Sequence, residues 1–223
     1  MKAYGFSGWK TVCLLYHLSD SWFITQPRDN PAFEIMIKKE KLLFMGSTIK
    51  HTRKLAYAAI CLALCLVLPF LTGQIPQIGQ MLSPMHIPVF LCGFLCGWPW
   101  GLTVGFIAPL LRGALFGMPA LVPGGIAMAF ELAAYGFLSG LLYRIFPKTT
   151  GYIYATLLLS MFCGRIVWGV ARFLISGVAQ TQFTFSMFLA GAITNAIPGI
   201  ILHLILVPLI VIAMQRAKLI PEE

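Results

Sequence analysis

The sequence predicts an all-α integral membrane protein, with six transmembrane helices in one compact bundle and both termini cytoplasmic. Three observations carry that expectation. Only 10% of the residues are charged against 59% hydrophobic, where a soluble domain carries about 25% charged residues, and the mean hydropathy is +0.85. Apolar blocks of spanning length recur from residue 55 onward. The Lys and Arg residues outside those blocks all fall on one side when six spans are drawn. With 223 residues there is room for one bundle and no large soluble domain. The net charge of +9 would suggest nucleic acid in a soluble protein, but here the positions of the charges matter more than their sum.

The elements follow in chain order. Residues 1–44 mix Trp, Tyr, Asp, Pro and Lys without clear period and offer no apolar run long enough to span. They also lack the pattern of a signal peptide. From Met45 a short basic leader precedes an apolar run, so Met45, or Met36, is the expected natural start. Residues 1–44 then read as a mis-assigned or disordered extension, and 45–223 as the membrane domain. A spanning helix needs about 20 apolar residues, roughly 17–25. The first span is Leu55–Leu71. The block Met81–Gly117 is too long for one span and holds Trp98-Pro99-Trp100 near its middle. Proline starts helices but breaks their interiors, so the block reads as Ser83–Gly97 and Pro99–Phe116, with tryptophans at the interface. Gly124–Tyr143, Tyr152–Ser176 and Ser186–Met214 complete the six.

Charge fixes the orientation. Lys50, Arg53 and Lys54 precede the first span, Arg144 and Lys148 follow the fourth, and Arg216 and Lys218 follow the sixth. Loops 72–82, 117–123 and 177–185 contain no Lys or Arg. The positive side is cytoplasmic, which places both termini there.

Glycine recurs every four residues at Gly93, Gly97, Gly101 and Gly105, and again at Gly113/Gly117 and Gly136/Gly140. Small residues at that spacing let helix backbones approach closely in lipid. Ala56, Ala59 and Ala63 lie on the first span, and Ala59-x-x-x-Ala63 forms a flat patch suited to internal packing or to a docking partner. The six cysteines include two pairs four apart, Cys61/Cys65 and Cys92/Cys96, without C-x-x-C or clustered histidine. They read as small hydrophobes in the packing, not as a metal site.

Charge inside a span is costly and marks a pair, an interior face or a site. Arg112 lies near the outer end of the third span and Glu131 about two turns below the outer end of the fourth. Arg165 and Arg172 share one face of the fifth. On the sixth, Gly191, Asn195, Gly199 and His203 share a face; Asn195 reaches the depth of Glu131, and His203, much deeper, reads as a packing residue. His86 stands at the outer mouth of the second span, as an interfacial residue or a lid. Three arginines against one glutamate leave a surplus of positive charge. Either Glu131 pairs with Arg165 or Arg112 as a structural clamp, or unpaired guanidinium groups await an anion, for which their fork is suited. The candidate substrate-binding residues are Arg112, Glu131, Arg165, Arg172, Asn195 and His86. Gln and Thr in "TGQIPQIGQMLSPMH" and "GVAQTQFTFS" can add hydrogen bonds. No catalytic motif and no P-loop is present, so neither an enzyme nor a cofactor is expected, and uphill transport would draw on another chain or an ion gradient. A self-contained ion-coupled carrier with Glu131 as proton site is the competing reading; it would be supported by inverted repeats, and no convincing internal symmetry is visible.

The basic leader, "RKLAYAAICLALCLVLPF", the six spans and "LSPMHIPVFLCGFLCGWPWG" together resemble the substrate-binding S components of energy-coupling factor (ECF) vitamin transporters, over about residues 45–218. "SPMHIPVFLCGFLCG" and the Ala-x-x-x-Ala of the first span are the most specific parts. The resemblance implies a plasma-membrane subunit that binds one vitamin near the extracellular side. It also implies association with a membrane coupling subunit and two cytoplasmic ATPases, and toppling within the membrane to deliver the vitamin. It implies that Ala59 and Ala63 meet the coupling subunit, and that the pocket lies among the fourth to sixth spans and outer loops, the region of Glu131, Arg172 and Asn195. The "SPMHIPV" region looks most like the pantothenate type, whose anionic substrate would suit the arginine surplus. Pyridoxine and hydroxymethylpyrimidine types are the alternatives.

Overall fold

The computed structural model describes residues 31–72, 81–178, 184–192 and 196–217. The chain divides into two units, Met1–Ile49 and Lys50–Glu223. Of the first, residues 31–49 are described, and they are helical. The helix containing them, α1, spans Pro31–Val67. It therefore begins well before Met45, in a segment read from sequence as lacking regular structure. Proline is favourable in a helix's first turn, where its missing N–H has no partner to lose. The mixed polarity that follows is compatible with a helix but not with a span, and Lys38 and Lys39 are exposed.

In the second unit, α1 tightens into 3-10 geometry at Leu68–Thr72. There follow α2 (His86–Cys96), α3 (Trp98–Phe116), α4 (Ile126–Ile145), α5 (Thr150–Val178), α6 (Phe185–Ala192) and α7 (Ile197–Arg216). No strand occurs among the described residues. Five segments are long and apolar enough to cross a membrane: His51–Leu71, Trp98–Phe116, Leu121–Ile145, Thr150–Val178 and Ile197–Arg216. The remaining candidate span, α2, has 11 residues and all of them are buried. A helix of that length is too short to face hydrocarbon throughout, and here protein surrounds it.

Proline decides where the Met81–Gly117 block breaks. Gly97, at φ 90°, separates α2 from α3, and Pro99 stands in the first turn of α3. A left-handed φ of this kind is strained for any residue with a Cβ. Proline also corrects the expectation of one helix from Ser186 to Met214. The structure has two, α6 and α7, and Pro198 stands in the first turn of α7. A proline there would break a continuous helix but suits a new start. Residues 193–195, and with them Asn195, lie outside the described residues.

Helix α4 is the hub of this unit, packing on α2, α3 and α5. Small residues make that possible. A Cβ on Gly136 of α4 would collide with the carbonyl oxygen of Gly101 on α3, and one on Gly93 of α2 with Ser139 Oγ and the Gly136 carbonyl. Along α1, Cys61 and Cys65 turn inward and are buried. The Cys65 thiol donates to the Met85 carbonyl at 3.6 Å, and the Cys96 thiol to the Lys54 carbonyl at 3.4 Å. The described cysteines are free thiols packed as small hydrophobes. On the opposite face of α1, Ala59, Ile60, Ala63, Leu64 and Val67 are exposed.

Candidate functional site

Glu131 sits in the second turn of the hub helix with a relative exposure of 1%. One helical turn along α4, the Tyr135 hydroxyl donates to its Oε1 at 2.8 Å. From α5, Arg165 Nη1 reaches the same oxygen at 2.9 Å. From the start of α2, His86 Nε2 lies 3.7 Å from it. A carboxylate in hydrocarbon survives only when paired and hydrogen-bonded, and two further helices supply what Glu131 needs.

A second buried histidine completes the cluster. His203 of α7 stacks on His86, with ring centroids 5.6 Å apart and an interplanar angle of 27°. Its Nε2 lies 3.3 Å from the Ser83 carbonyl oxygen. Tyr135 packs against His86 at 5.3 Å and against Phe90 at 4.9 Å. Several polar atoms here have no hydrogen-bond partner among the described residues: both ring nitrogens of His86, Nδ1 of His203 and Nε of Arg165. Each such orphan costs about 1–3 kcal/mol when buried, and a group of them in one place calls for an explanation.

His203 is therefore less deep than the sequence predicts, and packs on His86 beside Glu131. Its depth was counted along a helix starting at Ser186. With α7 beginning at Ile197, His203 lies about 9 Å into its helix, and Glu131, counted from Ile126, about 8 Å into its own. His86, expected at the outer mouth of its span as an interfacial residue or a lid, is 3% exposed. Tyr135 is absent from the sequence expectation, and His203 figures there only as a packing residue. The i, i+4 spacing from Glu131 was a usable signal for Tyr135; for His203 the signal was hidden by the uninterrupted apolar run.

The other arginines go elsewhere. Arg112 does not share the Glu131 contacts. Its Nη1 donates to the Leu66 carbonyl at 2.7 Å, and its guanidinium lies 5.1 Å from the Phe70 ring centroid and 5.6 Å from that of Phe116. The cause is local. Pro69 has no N–H, and the chain tightens at Leu68–Thr72, so carbonyls of the preceding turn lose their helical partners. Arg172, half-buried, brings its Nη1 beside Gly124, where a Cβ would stand 3.4 Å away. It is not among the contacts of Glu131, and lies about two turns from Arg165 along α5.

The structure thus brings Glu131, Arg165 and His86 together, adds Tyr135 and His203, and places Arg112 and Arg172 apart from them. A family model described as "ECF transporter, substrate-specific component" matches residues 53–211. The chain belongs to this family. No curated protein and no solved structure matches it. The ECF substrate-specific components are membrane transport proteins, not enzymes, and act with an ECF module on a small-molecule substrate. In this S component the match reaches all five long apolar segments and covers α2, from Arg53 within the first of them to Val211 within α7.

Proposed function

We propose that the chain is the vitamin-capturing subunit of an ATP-driven importer, and that the Glu131 cluster is its binding site. The membrane domain, residues 45–223, spans the bilayer six times when α2 is counted, with both termini cytoplasmic. The vitamin is captured from the extracellular side. A membrane coupling subunit and two cytoplasmic ATPases then drive its delivery, with Ala59 and Ala63 on the exposed face of α1 meeting the coupling subunit. The observation that supports this reading is a set of unpartnered polar atoms buried around Glu131, in a chain of this family. Glu131, Arg165, His86, Tyr135 and His203 form the site, and Arg172 stands at its edge near Gly124.

Pantothenate, pyridoxine and hydroxymethylpyrimidine are the candidate vitamins. The case for an anion such as pantothenate rested on surplus arginine. Arg165 is opposed by Glu131 and Arg112 is held by Leu66 and two rings, so an anion would have to be met by Arg172. Calorimetry of the purified chain against a panel of B vitamins, with co-purification of an ATPase module, tests the function. One vitamin should bind and the module should be retained. If the purified chain alone moves its ligand down a proton gradient, the chain is a self-contained carrier and the proposal fails.

A further inference from the structure

We infer that the site recognises a neutral, planar nitrogen heterocycle presenting an N–H donor beside an acceptor, as an aminopyrimidine does. This rests on the Glu131 cluster being the substrate site, as proposed above.

Neutrality follows from the charge balance. Arg165 Nη1 and Glu131 Oε1 are 2.9 Å apart, so the two formal charges of the cluster oppose each other. An added ionic group would find the cluster's own charges already opposed, which is heavily penalised in a dry site.

The donor requirement follows from the unpartnered acceptors. A neutral imidazole carries one N–H. The Ser83 carbonyl can only accept, so the contact of 3.3 Å assigns the His203 proton to Nε2. Nδ1 is then a bare lone pair, buried and without a partner among the described residues. His86 adds a second acceptor, since a neutral imidazole carries one bare nitrogen and both ring nitrogens of His86 are buried without a hydrogen-bond partner among the described residues. The site therefore accepts hydrogen bonds that the ligand must give. Arg165 Nε is the reverse case. It can only donate, and it too is buried and unpartnered among the described residues, so the ligand must also present an acceptor. An exocyclic amine next to a ring nitrogen supplies both along one edge.

Planarity follows from the aromatic cluster that holds the histidine nitrogens. His86, His203, Tyr135 and Phe90 meet ring to ring at centroid distances of 4.9 to 6.1 Å. Rings favour offset or edge contacts with another flat ring.

The test uses the full chain purified in detergent, with hydroxymethylpyrimidine as the neutral aminopyrimidine and pantothenate as the anion, read by calorimetry. The pyrimidine should bind and pantothenate should not. Methylating its exocyclic amine twice should abolish binding. Glu131→Gln and His203→Phe should each weaken it at least about tenfold, a step of ~1.4 kcal/mol. His203→Phe keeps a flat ring and deletes Nδ1, so it remains informative if Glu131→Gln unfolds. Binding of pantothenate in place of the pyrimidine would overturn the ligand class while leaving the S-component function standing. So would failure of every neutral heterocycle in a chain that still retains its ATPase module. Pyrimidine affinity unchanged in both variants would move the site elsewhere. Loss of the module together with all vitamin binding would count against the importer reading itself.

Discussion

Replacing Arg112 by methionine separates a structural clamp from a ligand group. The side chain is 3% exposed, and its charge is spent on the Leu66 carbonyl at 2.7 Å. A hydrogen bond from a charged group contributes about 1.5–3 kcal/mol. The Phe70 and Phe116 faces add about 0.5–2 kcal/mol as cation–π partners. Methionine returns part of this, because it keeps apolar contact and needs no desolvation. The net loss is then about 2–3 kcal/mol, left mainly as an unpartnered carbonyl where α1 meets its terminal 3-10 turn. At roughly 2–4 °C per kcal/mol for a chain of this size, Tm should fall by about 4–12 °C. Thermal unfolding in detergent measures that, with calorimetry of the bound vitamin on the same samples. Affinity should stay within about threefold, ~0.7 kcal/mol. Arg112→Lys should fall between, since an ammonium lacks the planar fork. An unchanged Tm with lost affinity would refute the reasoning and return Arg112 to the ligand site.

The remaining predictions concern the hub and its surroundings. Glu131→Gln and Arg165→Gln should each destabilise by about 3–5 kcal/mol, because each strands a buried charge; the double substitution should cost less than their sum in thermal unfolding, and strict additivity would argue against the pair. Gly136→Val should lower Tm by overpacking against the Gly101 carbonyl, by about 1–3 kcal/mol or more, whereas Gly177→Val, where a Cβ meets nothing, should not. Ala63→Trp on the exposed face of α1 should leave vitamin binding intact and stop uptake by cells; lost binding would contradict a docking role. Arg172→Ala should change the affinity for a neutral ligand little, but would cost about 1.5–3 kcal/mol for an anionic one, and calorimetry distinguishes the two.

Hydropathy located the long apolar segments, because a lipid-facing segment must be apolar along its whole length, but not the polar start of α1 at Pro31. Glycine spacing likewise marked where α3 and α4 would touch, since close approach in lipid needs small residues. Pro99 marked a break because its block was too long for one span. Pro198 did not, because the run from 186 to 214 fits one long tilted span and the composition does not change across the break. That miss carried over to His203, whose depth depends on where its helix starts. Which arginine meets Glu131 was not legible at all. Arg112 and Glu131 flank one short loop, yet pairing depends on helix rotation, and rotation is set by packing around α4.

The charge surplus among the spans was a sound count and a poor guide to the ligand. It treated carboxylates as the only partners a guanidinium can have. Arg112 shows the omission: a helix carbonyl left short by Pro69, and two aromatic faces, absorb a full charge without any anion. The formal charge of a membrane bundle is thus not the charge it offers a substrate. What it offers is the set of groups that its own backbone and side chains leave unpartnered. Here that set is mixed: an acceptor at His203 Nδ1, a donor at Arg165 Nε, and the two ring nitrogens of His86, one donor and one acceptor when the ring is neutral. A mixed set selects for the pattern of hydrogen-bonding groups along one edge of a ligand, where a surplus charge would have selected only for its sign.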